Sequence, residues 1–280
     1  MQIYYGSATH VRSSMSSAAL TRSLDMTGES TSLLALTSRP DYFGRVGELI
    51  RNVASAADEA VALEILKEAT LRMGADVAAF VSFIRDDPTH ESFRFLLACD
   101  IGWCIEYEQR AWYADDPWLE YARHHTEPTL ARNIPIGTKQ QAAIADMARR
   151  FGFASGVIVP APSSGGSTRL GVLCLGSTVP GYFEDEGFQT LKVVAIPLAV
   201  ELQAWWSSWI KGELVKKARI SNDDLALLRL EKTGRTTKAI AAALGSSPSS
   251  IDSRFQRINA KLDVPNRAAA ARLAAEYGLI

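Results

Sequence analysis

Apolar residues recur along this chain at two different periods, and the order in which those periods alternate most constrains the fold. Over residues 42–73 they fall at helical spacing, with Val46, Leu49, Ile50 and Val53 followed by Ala60, Leu63, Ile65 and Leu66 after a break at 55–58. Two helices are expected there. The pattern then changes to strand-like runs at 76–84 and 93–99 around the turn-rich 85–92, and again at 156–161 and 170–175 around a segment holding Gly165 and Gly166. Each pair predicts a hairpin, and the two glycines suit a turn that needs positive φ. Helical patterns near 103–110, 117–124 and 139–151 lie between the hairpins, and a long amphipathic helix is expected over about 184–210. Hairpins surrounded by helices predict an α+β fold: an N-terminal α/β/α sandwich whose antiparallel sheet is covered on both faces.

Beyond residue 218 everything reads helical. Segment 211–218 is charged and poor in core formers and is expected to be a linker; 219–280 is expected to be an all-α, four-helix domain. Ser221 with Asp224 three residues later forms a capping-box-like pair, and Leu225, Leu228 and Leu230 follow before Gly234. A short helix over 237–244 ends at Gly245. Ser247 and Pro248 then supply an N-cap and a first-turn proline for a helix that places Ile251, Phe255, Ile258 and Leu262 on one face. The remaining surface carries Ser249, Ser250, Ser253, Arg254, Arg257 and Lys261, joined by Thr237 and Lys238 on the helix before. Hydroxyls and cations of this kind bind phosphates and guanine edges in a major groove. Two short helices joined by a tight glycine-containing turn have helix-turn-helix spacing. Spacing alone equally allows a bundle whose cationic face merely meets water.

Charge favours neither reading strongly. The chain carries −1 overall, and 219–280 holds ten Lys and Arg against six acids, which makes the tail +4 and leaves −5 upstream. Cys99, Cys104 and Cys174 have no metal-ligand spacing and cannot all pair, which fits a reducing cytoplasm. No basic cluster precedes an apolar core in 1–38, and the most apolar run, 193–200, is too short for a bilayer, so no membrane partner is expected. Residues 1–40, rich in Ser, Thr and Met, are expected to be a flexible extension. Catalytic patterns are weak: the serine of 152–156 is one place too late for a nucleophile elbow, and adjacent His124 and His125 point to different helix faces. No enzyme, cofactor or metal is expected.

One constellation remains in 41–210. Trp103 and Tyr107, four apart, share a helix face, and Asp116 with Pro117 starts the next segment. Taken singly, the aromatics suit a core and Asp116 a helix cap. Taken together, in this order and spacing, they resemble the autoinducer-binding domain of LuxR-type quorum-sensing regulators. The C-terminal string is similar to the DNA-binding domain of the same family across its length: Ile220 to Asp224, Leu228, Gly234, Thr237 to Ala241, Leu244, Gly245, Ser249 to Ile251 and Lys261 to Arg267. Asp224 stands where that family usually has Glu, and Asp252 where a cation is common.

The resemblance implies a homodimeric, cytoplasmic transcription regulator. An N-acyl-homoserine lactone would lie between sheet and helices, and operator DNA and RNA polymerase would be partners. It implies that Asp116 accepts from the ligand amide, Trp103 donates to the lactone carbonyl and Tyr107 meets the head group. Trp118 and Leu119 would contact the acyl chain, with Gly156 and Cys174 on the strands beside it. Leu130 to Arg132 replaces a second aromatic near the lactone, and Cys99 and Cys174 replace hydroxyl residues, so a roomier, less polar pocket for a long acyl chain is expected. Trp205, Trp206 and Trp209 are candidates either for the dimer face or for packing on the sheet. Two alternatives stay open: a ligand-independent regulator with a collapsed pocket, and a lactone-processing enzyme with weak DNA binding.

Overall fold

A computed structural model describes residues 32–87, 90–162 and 169–280, without the side chains of 84–93, 169, 214 and 217. Residues 1–31 and the expected turn at Gly165 and Gly166 lie outside the described residues. Helical structure is nevertheless present before Tyr42. Ser32 caps helix α1 (Leu33–Thr37) by accepting from Ala35 N, and Leu33 is fully buried, so this turn belongs to the core and not to an extension. Helices α2 (Tyr42–Val53) and α3 (Glu59–Arg72) follow, the second capped by the Asp58 carboxylate on Val61 N at 2.9 Å.

The two expected hairpins form strands β1 (Val77–Asp87) with β2 (His90–Ala98), and β4 (Ser155–Pro162) with β5 (Arg169–Ser177). Between them come α4 (Gly102–Gln109), α5 (Pro117–His124) and α6 (Lys139–Arg150). A two-residue strand β3 (Thr129–Leu130), too short to leave a periodic signal, adds an edge. The sheet order is β2-β1-β5-β4-β3, with antiparallel register Ala79↔Cys174, Val81↔Val172 and Ile158↔Cys174. Alternation sends Ala79, Val81, Phe83, Ile158, Leu170, Val172 and Cys174 into one cluster with aromatics of α4 and α5. Phe80, Val159 and Leu173, at the intervening positions, are buried on the opposite face. There, a Cβ at Gly171 would lie 2.5 Å from Gln203 Oε1, which marks the close approach of helix α7 (Gly187–Ala218).

Helix α7 is longer than expected, and the stretch 211–218, expected to be a linker, forms its last turns. By length and mean hydropathy, 187–213 meets the requirement for crossing a bilayer, which the run 193–200 alone does not. Its Leu191, Val194, Ala195, Leu198, Ala199 and Leu202 are buried in protein, as a core helix requires. Trp205 and Trp206 are buried too, and Trp205 Nε1 donates to Ala56 O at 2.9 Å. These two indoles pack inside and form no exposed face. Exposed apolar side chains on α7 are instead Val193, Ile196 and Val200.

The chain divides into two compact units, one built on the sheet as far as Trp205 and one containing 206–280. In the second, α8 (Asn222–Lys232), α9 (Thr237–Ala243), α10 (Pro248–Leu262) and α11 (Arg267–Glu276) enclose Leu227, Leu228, Ile240, Ile251, Phe255, Ile258, Leu262 and Ala270. Ser221 and Asp224 close the full capping box, and Gly234 and Gly245 take the positive φ that ends α8 and α9.

Gly176 has no room for a side chain: a Cβ there would sit 2.5 Å from Phe153 Cδ1 and 2.6 Å from Val77 Cγ2. Gly176→Ala is expected to destabilise the protein by about 1–3 kcal/mol through overpacking. Urea unfolding measures this, and an unchanged midpoint would contradict the packing described.

Candidate ligand site and nucleic-acid interface

Asp116 is the N-cap of α5 and only 6% exposed. One carboxylate oxygen, Oδ1, accepts from Trp118 N at 2.7 Å and Leu119 N at 3.4 Å, while Oδ2 accepts from the Tyr107 hydroxyl at 2.7 Å. Pro117 at N1 fixes the backbone for this cap and leaves no orphan N–H behind. The geometry thus shows Asp116 as the cap of α5 and the acceptor of the Tyr107 hydroxyl. Burial raises its pKa above the ordinary 3.8, against the opposing pull of the Tyr107 bond, the two backbone N–H groups and the Arg123 charge. The Tyr107 hydroxyl is pushed well above its usual value, first by burial and then by the neighbouring carboxylate.

Around this pair stands an aromatic shell. Trp103 lies 5.6 Å from Tyr107, 6.3 Å from Trp112 and 6.2 Å from Phe153, ring centre to ring centre, and Phe95 meets Tyr107 edge-on at 6.0 Å. Trp103, Tyr107, Asp116, Trp118, Leu119 and Cys174 line one cavity together with Ala79, Val81, Phe95 and Phe153. Pro117 and Gly156 do not line it. Gly156 serves packing on β4, where a Cβ would come within 3.1 Å of Ala131 Cβ. Sequence reasoning missed the strand contributions of Ala79 and Val81, although the period-2 alternation of β1 put them on the same face as Phe83.

The expected roomier pocket is not what the rings leave. The cavity measures about 20 Å³, enough for one water molecule, and Phe95, Trp118 and Phe153 are among the rings that line it. The ionisable groups that line it are Asp116, Tyr107 and Cys174, whose thiol burial drives far above its usual pKa. Cys99 packs at the edge of the same cluster, and burial pushes its thiol up to about 12.

In the second unit, α10 buries Ile251, Phe255, Ile258 and Leu262 as expected. The polar residues are not equivalent. At about 100° per residue, Ser249, Ser253, Gln256 and Ala260 lie opposite the buried stripe with Arg257 beside them, and all five are exposed. Arg254 and Lys261 fall on the flank towards α8. Arg254 donates to Asp223 O at 3.3 Å, and Lys261 Nζ reaches Arg219 O at 2.9 Å and Asp224 Oδ2 at 2.6 Å. On the other flank Thr237 Oγ1 donates to Asp252 Oδ1 at 3.5 Å and accepts from Arg267 at 2.7 Å. Lys238, Ser249, Ser250, Ser253 and Arg257 are thus exposed as expected, whereas Thr237, Arg254 and Lys261 hold the module together.

Fold and site define a class: a sheet-and-helix domain with a buried carboxylate in an aromatic cavity, carried in one chain with a four-helix module. Residues 58–196 match the family described as autoinducer binding domain. Two structures of SdiA superpose at 17% identity: one in complex with octanoyl-rac-glycerol (TM-score 0.67, covering 86% of this chain and 98% of that one), the other from Escherichia coli (0.68, 86% and 99%). CepR2 from Burkholderia cenocepacia, an N-acylhomoserine lactone dependent LuxR family transcription factor, superposes with TM-score 0.51 at 14% identity over 59% of this chain and 95% of that one. At such identities the likeness is one of fold. No curated protein matches the chain by sequence.

The raised pKa of Asp116 sets a pH dependence. Folding favours the protonated carboxyl, so this contribution to stability is complete below pH 3.8 and is lost as pH climbs through the raised value. Relative to Asp116→Asn, which keeps a capping oxygen, the wild-type protein is expected to lose stability over that window and then level off. Urea unfolding of both proteins across pH 3.5–7 tests it; a pH-independent difference would refute the burial-driven shift.

Proposed function

We propose that this chain is a LuxR-type quorum-sensing transcriptional regulator that binds an N-acyl-homoserine lactone at the Asp116 cavity and operator DNA through α9 and α10. The observation that carries the reading is the pairing of a buried carboxylate with aromatic walls in a family domain for autoinducers. An acyl amide entering such a site must find an acceptor for its N–H, and Asp116 offers lone pairs beyond those its three donors use. The apolar walls suit a long acyl chain, each buried methylene contributing up to about 0.8 kcal/mol. A homodimer would present two copies of α10 to operator half-sites, and the exposed apolar residues Val193, Ile196 and Val200 of α7 offer the seam. Such a regulator works where its DNA is, in the cytoplasm, with RNA polymerase as a further partner.

A second reading is favoured by one observation, the 20 Å³ cavity: a regulator that needs no ligand, its pocket closed by its own rings. Isothermal titration with N-hexanoyl- and N-dodecanoyl-homoserine lactone separates the two. The first reading expects binding of both, tighter for dodecanoyl, with loss of at least tenfold in affinity for Asp116→Ala; no heat with either lactone favours the second, and tighter hexanoyl binding would overturn the long-chain assignment. For the dimer, Val193→Glu combined with Val200→Glu is expected to shift the sedimentation coefficient to that of a monomer. An unchanged dimer would exclude this seam.

A further inference from the structure

We infer that sequence reading by this protein centres on Gln256 and Arg257 of α10, which form an adenine-plus-guanine reader, while Arg254 and Lys261 are structural cations that do not contact bases. The inference rests on the DNA-binding reading and assigns its specificity.

The argument is one of geometry and of which side chains are already engaged. Arg254 and Lys261 are turned onto the α8 side, where they donate to Asp223 O, Arg219 O and Asp224 Oδ2. Asp224 is itself held inside the capping box by Ser221, and its side chain is only 13% exposed, so Lys261 has a fixed and largely sheltered partner. Moving Lys261 onto DNA would leave that carboxylate without its cation. Gln256 and Arg257, by contrast, are exposed on the side away from the core and make no hydrogen bond or ion pair among the described residues. They stand one to two turns beyond Ser249 and Ser253, which share that face.

A major-groove base edge rewards particular donors and acceptors. A glutamine amide pairs bidentately with adenine N6 and N7, and an arginine fork with guanine O6 and N7. Ser249 and Ser253 are hydroxyls that accept or donate to either base, and Ser249 is partly occupied by Ser247 at 3.1 Å. Ala260 continues the face with a methyl surface that suits a thymine methyl. With about 1.5 Å rise per residue, 253–260 spans roughly three base-pair steps. Few cations remain for phosphates on this face, so sequence-specific contacts carry a larger share of binding than in a helix lined with Lys and Arg.

The test is selection of binding sites from a randomised duplex pool by the full-length protein, with and without N-dodecanoyl-homoserine lactone. The wild-type protein is expected to enrich a motif with an adenine and a guanine within three base pairs of each other. Gln256→Ala should lose preference at the adenine alone, roughly tenfold or more, and Arg257→Ala at the guanine alone. Arg254→Ala should keep the whole motif while lowering the thermal midpoint. Retention of the wild-type motif by Gln256→Ala, or its loss at one base by Arg254→Ala, overturns the assignment while leaving DNA binding intact. Failure of the wild-type protein to enrich any sequence overturns the DNA-binding reading and this inference with it.

Discussion

The sheet-built unit depends on one buried carboxylate. An ionised group taken out of water is strongly penalised unless hydrogen bonds replace its hydration, and Asp116 meets that condition with three donors drawn from two helices. The two backbone donors fix where α5 begins, and the Tyr107 hydroxyl fixes how α4 lies beside it. Trp103 is then brought over Tyr107, and Trp118 over Phe153 at 5.9 Å. Arg123, one helical segment further along α5, lies 5.2 Å from the Phe83 ring centre and adds a positive field that opposes the burial of the carboxylate. The aromatic cluster is therefore arranged around Asp116 rather than merely near it.

The second unit uses charge in a different way. Isolated surface ion pairs contribute little, yet the pairs here join elements distant in sequence. Lys261 lowers the pKa of Asp224 together with the Ser221 bonds, outweighing the burial that would raise it. Arg267 reaches Glu231 on α8 at 3.2 Å and Thr237 on α9, and lies over the Phe255 ring of α10 at 5.6 Å. These contacts set the angle at which α10 leaves the core. Their worth is geometric: cations on the flanks of α10 tie it to α8, α9 and α11 and so fix which of its faces points away from the core.

The parts legible in the sequence were those governed by neighbours in sequence. Helix starts at Ser221, Ser247 and Asp116 follow from local capping, and both hairpins follow from the period of two. Of the six cavity-lining residues named from the family resemblance, Trp103, Tyr107, Asp116, Trp118 and Leu119 lie on α4 or at the start of α5, where order and spacing are also local, while Cys174 joins them from β5. What escaped was set by distant partners. Arg254 and Lys261 read as solvent-facing cations because their acceptors lie 31 and 37 residues away. Trp205 and Trp206 allowed two readings until burial chose one. The pocket volume could not follow from Cys99, Cys174 and Leu130 alone, because Phe95 on β2 and Phe153 before β4 line the same cavity from distant parts of the chain.

The identity of the capping residue argues for a ligand in spite of the small cavity. Serine, threonine or asparagine would cap α5 about as well as aspartate, and none would bury a titratable acid whose pKa is raised by its surroundings. The capping oxygen is Oδ1, so the helix start does not need the second oxygen. That second oxygen, Oδ2, is held by the Tyr107 hydroxyl, a donor on a side chain that can rotate or share its acceptor with another N–H. The Tyr107 bond thus orients α4, and the same oxygen has lone pairs for an amide N–H that enters the pocket, so the buried carboxylate is satisfied both before and after such an entry.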